Sequence, residues 1–312
     1  MADLPSRAGQ TLAAWCRRAP LAGDASVRRY TRLWDTAGTS AVLVEYPRPI
    51  RCQLRRDLEV SAWCRRRGLR VPAVLGHDLE QGWALVEDLG DVDGEAALAA
   101  TPTGARRALL ESWLEPLEVL AACPPGELPP WNPPLDRHRL RWELAGFELW
   151  YLRHLRSVGP WPEVGRWLDR LAAGVAAHPL RVCHRDFHLN NLLLQPGDGV
   201  AVVDVQDILV GPDTYDAVSL TSERAAVRLV SEADRQAVLA AWARRTGALP
   251  GWRDRAAAVA LQRGLKVLGT FARFTVAGRR AYRPWLDDLA ARLAGPVGAA
   301  GADPRLTALL LD

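Results

Sequence analysis

The sequence predicts an α+β protein in which a small lobe rich in β-strands precedes a larger, mostly helical lobe. The chain has 312 residues, of which 49% are hydrophobic and 24% charged, as in a packed globular protein. Segments rich in β-branched and aromatic residues dominate residues 1–90. Apolar residues at helical spacing dominate residues 91–312, where a group of short apolar strands interrupts them. We therefore predict a lobe boundary between residues 90 and 91.

The small lobe is predicted to contain a short helix, two strands, a longer helix and two more strands. In this order the elements occupy residues 12–18, 23–36, 40–46, 52–68, 71–76 and 83–87. The longer helix follows from Leu54, Leu58 and Ala62 on one face, and Gly68 is its stop signal. Residues 80–82 form the turn between the last two strands.

The large lobe begins with a polar segment, residues 91–104, which we interpret as a linker. Helical patterns follow, and a Pro-rich loop at residues 124–134 separates the first from the second. Three short strands, LRVCH, NLLLQ and VAVVDV, then form a β-ribbon embedded in the helices. The predicted helices of this lobe are residues 105–123, 136–158, 161–178, 215–230, 232–246, 253–277 and one from Pro284 onward.

Composition and charge exclude several classes of partner. A net charge of +4 produces only a weak electrostatic field around a chain of this length, and the short arginine runs lie between apolar residues at helical spacing. Solvated helix faces explain them better than a nucleic-acid surface does. The five cysteines lack zinc-ligand or redox spacing, and no stretch is apolar enough for a signal peptide or membrane span. We expect a cytoplasmic monomer that binds neither nucleic acid nor membranes.

One constellation carries chemistry. His184, Arg185 and Asp186 precede Asn191 by a spacing of H-R-D-x-x-x-x-N, and Asp204 ends the apolar segment VAVVD. Phosphoryl transfer from ATP needs a carboxylate that accepts the hydroxyl proton, and oxygen ligands for Mg²⁺. In this interpretation Asp186 is the base, Asn191 and Asp204 hold magnesium, and His184 braces the loop. A capping Asp and a loop Asn would explain any one of these residues alone, but the combined order favours the functional interpretation.

These segments resemble the kinase-like small-molecule phosphotransferases, which include aminoglycoside phosphotransferases and choline kinases. The resemblance rests on HRDFHLNNLLL and VVDVQD. GDASVRRYTRL, VPAVLGHDLEQGWALVEDLGD and VQDILVGPDTYDAVSL are similar to one subgroup, the anomeric N-acetylmuramate/N-acetylglucosamine kinases of bacterial cell-wall recycling. The resemblance implies a bilobal, protein-kinase-like fold and ATP- and Mg²⁺-dependent phosphorylation of the anomeric hydroxyl. It also implies that Asp216 of TYDAVSL is a buried structural carboxylate.

The resemblance implies nucleotide contacts in the small lobe. Residues 23–29 would cover the phosphates, and the hinge would lie around residues 85–91. The hinge would contact adenine through the backbone of Glu87 and Leu89. The cover loop has one glycine rather than G-x-G-x-x-G, so a plain β-turn is its alternative. The predicted nucleotide contacts are Gly23, Ala25, Ser26, Arg28, Arg29, Glu87 and Leu89.

The acceptor wall is predicted on the helix RWELAGFELWYLRHL. Glu143, Phe147 and Trp150 have i, i+4, i+7 spacing, which puts them on one helical face. Glu143 and Trp150 would contact the sugar, whereas core packing is the better interpretation for Phe147. His188 and Asp207 flank the catalytic loop and the magnesium aspartate, where they could contact sugar or brace the loops.

The chain departs from related kinases in its cations. Forty residues are Lys or Arg, and one of them, Lys266, is lysine, which leaves 39 arginines. The third strand therefore lacks the lysine that often binds phosphates, and Lys266 lies outside the predicted nucleotide lobe. Arg28, Arg29 and Arg48 are the candidates for its role, because a guanidinium can donate two parallel hydrogen bonds to phosphate oxygens.

Two alternative functions stay open: a kinase of another acceptor, such as an aminoglycoside or choline, and an inactive nucleotide-binding pseudokinase.

Overall fold

The computed structural model describes residues 15–21 and 27–312. The chain divides into two compact units, and it passes from one unit to the other three times along the sequence. The first unit takes the described residues up to Val119 and then Leu189–Ile208, and the second takes Leu120–His188 and Leu209–Asp312. The lobe boundary between residues 90 and 91 follows the change from strand to helical patterns in the sequence, and it stays a prediction.

A five-stranded antiparallel sheet forms the core of the first unit. Its strands are ordered β1-β2-β3-β5-β4, and helix α1 (Gln53–Arg66) connects β3 to β4. Leu54 and Leu58 of α1 are buried against the sheet residues Val44 and Ala84, and Gly68 at φ 86° follows the helix end, as predicted. The strands are β1 (Arg17–Leu21), β2 (Arg29–Trp34), β3 (Ser40–Glu45), β4 (Val74–Asp78) and β5 (Trp83–Glu87).

The first predicted helix is wrong where the chain is described. Residues 12–14 lie outside the described residues, but Arg17–Leu21 is the edge strand β1, paired antiparallel with β2. Trp15, just before it, is buried with Leu33, Ala41 and Leu85. Burial of this indole beside the sheet and strand pairing outweigh the helix propensity of the short arginine-rich segment.

The predicted linker is also wrong in part, because helix α2 (Gly94–Ala100) lies within residues 91–104. The Asp93 carboxylate caps it by accepting a hydrogen bond from the Ala96 N–H at 2.8 Å. Gly94 permits a close approach, since a Cβ there would lie 2.8 Å from the Leu189 carbonyl oxygen. The capping residue Asp93 and the alanine-rich sequence both favour a helix, but the polar residues of this segment suggested a linker instead.

The predicted β-ribbon is two separate pairs of strands. In the first unit β7 (Leu192–Leu194) pairs with β8 (Val200–Val202). In the second unit β6 (Leu180–Cys183) pairs with β9 (Leu209–Pro212). Short apolar strands carry no signal for their partner, so their pairing follows from tertiary structure.

Helices make up most of the second unit, and the prediction of a mostly helical lobe is confirmed. A π-helix (Phe147–Leu155) continues α5 (Arg137–Gly146), and the C-terminal helix α12 (Pro304–Leu311) was not predicted. Within the described chain, no helix combines the length and apolar character needed to cross a bilayer. The remaining helices are α3 (Arg106–Ser112), α4 (Glu115–Ala121, shared with the first unit), α6 (Pro162–Ala176), α7 (Tyr215–Ser222), α8 (Arg224–Leu229), α9 (Glu232–Arg245), α10 (Trp252–Val276) and α11 (Arg283–Ala299).

Candidate active site

The predicted catalytic loop starts directly after β6 and is anchored by Asp216 on α7. The backbone N–H groups of His184 and Arg185 donate to the two carboxylate oxygens of Asp216, at 2.6 and 2.9 Å. Burial raises the pKa of Asp216, although His184 and the two backbone donors oppose this shift. The structural role predicted for Asp216 is therefore confirmed.

Arg185, the residue directly before the predicted base, is held by several hydrogen bonds. Its backbone has φ 80°, a left-handed conformation that costs a non-glycine residue free energy. Its carbonyl accepts a hydrogen bond from Arg263 Nη1 at 3.0 Å, and its own Nη2 donates to Glu143 Oε1 at 3.2 Å. Together with the Asp216 contact, these bonds hold the backbone in a conformation that it would not favour alone.

Asp186 is half-buried in a positively charged environment. Burial raises the pKa of its carboxyl, but the nearby charges of Lys266, Arg263 and Arg185 outweigh burial and lower the pKa overall. The His188 N–H donates to the Asp186 carbonyl at 2.9 Å, which closes a tight turn around the side chain. Asp186 is therefore ionised near neutral pH, as a proton acceptor must be.

Glu143 lies at the centre of this charged cluster with its side chain 2% exposed. Its Oε1 lies 3.2 Å from both Arg185 Nη2 and Lys266 Nζ, and its Oε2 accepts from Gln262 Nε2 at 3.2 Å. Burial raises the pKa of Glu143, but Lys266 and Arg185 outweigh burial and lower the pKa overall. The predicted sugar contact of Glu143 stays a prediction, while the observed contacts favour a role in positioning. Sequence reasoning did not foresee Lys266 here, because nothing local links α10 to the catalytic loop.

Trp150 does not share an α-helical face with Glu143. The change to a π-helix at Phe147 alters the number of residues per turn, so the i, i+7 relation no longer holds. Phe147 is fully buried and stacks on Tyr151 with ring centroids 5.4 Å apart, which confirms core packing for Phe147. Trp150 is half-buried and stacks on His154 at 5.0 Å, and its sugar contact stays a prediction.

Asn191 and Asp204 bracket the β7–β8 hairpin of the first unit. The Val203 N–H donates to the Asn191 carbonyl at 3.0 Å, which joins the start of β7 to the end of β8. Asp204 has φ 62° and an exposed carboxylate, whose Oδ1 accepts from Gln206 Nε2 at 2.7 Å and Arg28 Nη2 at 3.1 Å. Like Arg185, Asp204 is a non-glycine residue in the left-handed region, a feature common at functional sites.

The oxygens of Asn191 and Asp204 fit magnesium. Mg²⁺ prefers hard oxygen ligands and binds through one or two carboxylates together with substrate phosphates and water. Both residues lie at the open end of the hairpin, where Asn191 precedes β7 with an amide oxygen and Asp204 follows β8 with an accessible carboxylate. The donor set is thus compatible with Mg²⁺.

Arg28 connects Asp204 to the rest of the first unit. Its Nη1 lies 3.5 Å from Asp57 Oδ2 on α1, and its guanidinium lies 5.8 Å from the ring centroids of Tyr30 and Tyr46. Burial lowers the pKa of Arg28, but Tyr30, Tyr46 and Asp204 raise it overall, so the cation is retained. Burial likewise raises the pKa of Asp57, whose carboxylate also accepts from the Tyr46 hydroxyl at 3.0 Å.

The other candidate cations lie elsewhere. Arg29 is exposed on β2, and Arg48 is exposed in the short 3₁₀ turn after β3. Gly23, Ala25 and Ser26 lie outside the described residues. Of the three arginines proposed to replace the missing lysine, Arg28 is the one in contact with the predicted metal ligand.

The predicted hinge follows β5. The Glu87 N–H already donates to the Ala73 carbonyl at 2.8 Å, so an adenine contact there could use only the Glu87 carbonyl. The Glu87 carboxylate pairs with Arg70 at 2.6 Å, and this contact and others outweigh burial and lower the pKa of Glu87. Leu89 accepts a bond from Gln195 Nε2 at its carbonyl, and no described residue accepts from the Leu89 N–H. Adenine contacts at both residues stay predictions.

The site residues belong to different units. Asp186 and His188 lie in the second unit, whereas Asn191, Asp204 and Asp207 lie in the first. His188 and Asp207 are both half-buried, and their sugar contacts stay predictions.

The strand order, the predicted catalytic loop and the helical unit define a protein-kinase-like fold, and comparison with solved structures agrees. A choline kinase of Streptococcus pneumoniae superimposes with a TM-score of 0.62 over 92% of this chain and 95% of its own, at 12% identity. An aminoglycoside-3'-phosphotransferase of type VIII gives a TM-score of 0.57 at 19% identity, covering 80% of this chain and 93% of its own. At such identities the likeness establishes the protein-kinase-like fold.

Sequence comparison establishes the family. The profile described as "Phosphotransferase enzyme family" matches residues 17–297, and the chain belongs to this family. It is similar to the N-acetylmuramate/N-acetylglucosamine kinase of Pseudomonas aeruginosa, with 34% identity over 81% of this chain and 75% of that protein. It is also similar to the protein of the same name from Neisseria meningitidis serogroup B, with 31% identity over 84% of this chain and 80% of that protein. The chain is therefore an enzyme, a phosphotransferase.

Proposed function

We propose that this enzyme transfers the γ-phosphoryl group of ATP to the anomeric hydroxyl of N-acetylmuramate, N-acetylglucosamine or both, with Mg²⁺. The product is the sugar 1-phosphate, and the reaction serves peptidoglycan recycling in the cytoplasm. The similarity to kinases of these two sugars over about four-fifths of the chain carries the proposal. The charged cluster around Asp186 supports it, because this cluster keeps a base ionised.

Asp186 accepts the proton of the attacking hydroxyl. The anomeric oxygen forms a bond to the γ-phosphorus while the bond from that phosphorus to the β,γ-bridging oxygen breaks, and ADP leaves. A pKa lowered by Lys266 and Arg263 keeps Asp186 in the accepting form at neutral pH. His184 and Arg185 hold the loop through Asp216 and are positioning residues.

Asn191 and Asp204 would hold magnesium, which neutralises phosphate charge when bound. Asp186 and Asn191 are separated by four residues, so one loop carries both the base and a metal ligand. Arg28 would bind the phosphates, since its guanidinium already contacts an anionic group, Asp204, at the same hairpin. In this arrangement Asp204 would release Arg28 and bind the metal in its place.

Residues 1–90 would supply the rest of the nucleotide site. Glu87 would contact adenine through its carbonyl and Leu89 through its N–H, with Gly23, Ala25 and Ser26 in the cover loop. Arg29 remains a further candidate for the phosphates. Trp150, His188 and Asp207 would contact the sugar.

The charges near the base disfavour a polycationic acceptor. Arg185, Arg263 and Lys266 all lower the pKa of Asp186, so their positive charges act on the position where the acceptor hydroxyl must bind. An aminoglycoside carries several ammonium groups, which these cations would repel. A neutral or anionic amino sugar meets no such penalty.

The test is an acceptor panel. Purified protein is incubated with ATP, MgCl₂ and N-acetylmuramate, N-acetylglucosamine, choline or kanamycin, and ADP release is measured. Phosphorus NMR identifies the phosphorylated hydroxyl. We expect turnover with the acetylated sugars and a 1-phosphate product. Turnover with choline or kanamycin alone, or ATP binding with no turnover on any acceptor, would contradict the proposal.

A further inference from the structure

The single lysine of the chain lies in the charged cluster beside the catalytic loop. Elsewhere every basic residue other than histidine is an arginine, 39 in all. Lys266 lies on α10, and its ammonium is 3.2 Å from the Glu143 carboxylate. A composition that otherwise uses arginine for every such cation has lysine at position 266, beside Arg185 on this buried carboxylate. The contacts of this ammonium are ones that a guanidinium would not reproduce.

Glu143 transmits the position of Lys266 to the catalytic loop. One oxygen of Glu143 binds both Lys266 and Arg185, and Arg185 is the residue directly before Asp186. Gln262, one helical turn before Lys266, donates to the other Glu143 oxygen, so α10 grips the carboxylate at two points. Arg263 of the same helix donates to the Arg185 carbonyl. Three neighbouring side chains of α10 thus fix the residue that precedes the base.

The close packing of α10 limits what can occupy position 266. One turn further along, a Cβ at Gly269 would lie 2.5 Å from the Gly146 carbonyl carbon and the Phe147 nitrogen. This contact sets the distance between α10 and the helix that carries Glu143. An ammonium is compact and donates in three directions, whereas a guanidinium is planar and longer. A guanidinium at position 266 would displace Glu143, or compete with Arg185 for the same oxygen.

We propose that Lys266 is a positioning residue for phosphoryl transfer, which holds Glu143 and, through it, Arg185 and the Asp186 loop, and that arginine cannot replace it. The inference rests on the proposed role of Asp186 as base. It also gives Glu143 a role in place of a direct sugar contact. The electrostatics agree with the geometry, since Tyr215 and Glu143 offset burial and raise the pKa of Lys266, which keeps it charged.

The kinetic test separates geometry from charge, with ATP, MgCl₂ and N-acetylmuramate as substrates. In Lys266→Arg the charge is kept but the geometry changes, and we expect kcat to fall about ten- to hundredfold while the KM for ATP stays within about threefold. In Lys266→Met the charge is lost as well, and the acidic limb of the pH profile should move to higher pH, because Asp186 loses a cation that lowers its pKa. Arg253→Lys, on the exposed start of α10, is the matched control and should leave both parameters unchanged. A folded Lys266→Arg protein with the kcat of the parent would overturn the inference.

A second measurement needs no activity. Since Lys266 is the sole lysine, lysine labelled with ¹³C and ¹⁵N gives one set of side-chain NMR signals. These signals should shift in Glu143→Gln and stay in place in Glu163→Gln, a substitution of an exposed glutamate on α6. Unchanged signals in Glu143→Gln would overturn the contact on which the inference depends. If instead Asp186→Asn retained full turnover, the proposed function would fail while this contact could still be verified.

Discussion

The surroundings of Asp186 and Asp204 differ, although both aspartates belong to the same proposed reaction. Asp186 lies next to a buried cluster in which Glu143, Arg185 and Lys266 satisfy one another. Asp204 is 40% exposed and is held by Arg28, a cation that other groups also contact. The proposed base is thus positioned by buried side chains, whereas the proposed metal ligand is held by an arginine, a contact that would have to exchange if magnesium and nucleotide bind there.

The largest effect should come from removing the base. Asp186→Asn keeps the shape of the side chain but cannot accept the hydroxyl proton, so we expect kcat to fall about a thousandfold. ADP release with N-acetylmuramate measures the loss, and circular dichroism verifies the fold. Asp254→Asn, in the exposed first turn of α10, is the control and should stay fully active. Undiminished turnover in Asp186→Asn would show that Asp186 is not the base.

The next effect tests whether core packing positions the cluster. Gly269→Ala places a methyl group 2.5 Å from the backbone of Gly146 and Phe147, so the free energy of unfolding should fall by about 3 kcal/mol. Gly146→Ala is the control on the facing helix, because a Cβ there meets no atom within 4 Å. It should leave stability unchanged or raise it by up to about 1 kcal/mol. Urea denaturation measures both variants, and equal stabilities would contradict the tight contact.

The third effect addresses Arg28. If this guanidinium binds the phosphates, Arg28→Gln should lower kcat/KM for ATP about 10- to 100-fold, since a charge-assisted hydrogen bond contributes about 1.5–3 kcal/mol. Arg29→Gln and Arg48→Gln, both exposed, should lose less than about threefold. Initial rates at varied ATP concentration give these values. A rise in kcat/KM for Arg28→Gln would show instead that Arg28 only restrains Asp204.

The smallest effect concerns the pH dependence of stability. The pKa of Glu143 is lowered in the folded protein, so its stabilising contribution is complete above its ordinary pKa of 4.5 and is lost as the pH falls through the lowered value. Glu143→Gln should therefore be less stable than the parent at pH 7, and the difference should shrink as the pH falls below 4.5. Asp216 has a raised pKa and acts with the opposite sign. Urea denaturation between pH 7 and acidic pH measures the free energy of unfolding, with Glu163→Gln as the control. A stability difference between Glu143→Gln and the parent that stayed constant with pH would contradict the lowered pKa of Glu143.

Local patterns in the sequence determined much of the fold. Strands β2, β3 and β5 and helix α1 follow from apolar periodicity and from Gly68, a stop signal that needs no tertiary contact. The constellation from His184 to Asp204 followed from residue type and spacing, and the family it indicated is confirmed. Such features are predictable because their causes lie within a few residues of the chain.

Tertiary structure decided which of the distant residues meet. The pairing of β6 with β9, the edge strand β1 and the π-helix at Phe147 depend on neighbours far along the chain, and no short window of sequence encodes them. The same holds for the contact between Lys266 and Glu143, which are 123 residues apart and meet because α10 packs against the π-helix. Composition showed that Lys266 is unusual, and only the packing of α10 gave it a partner.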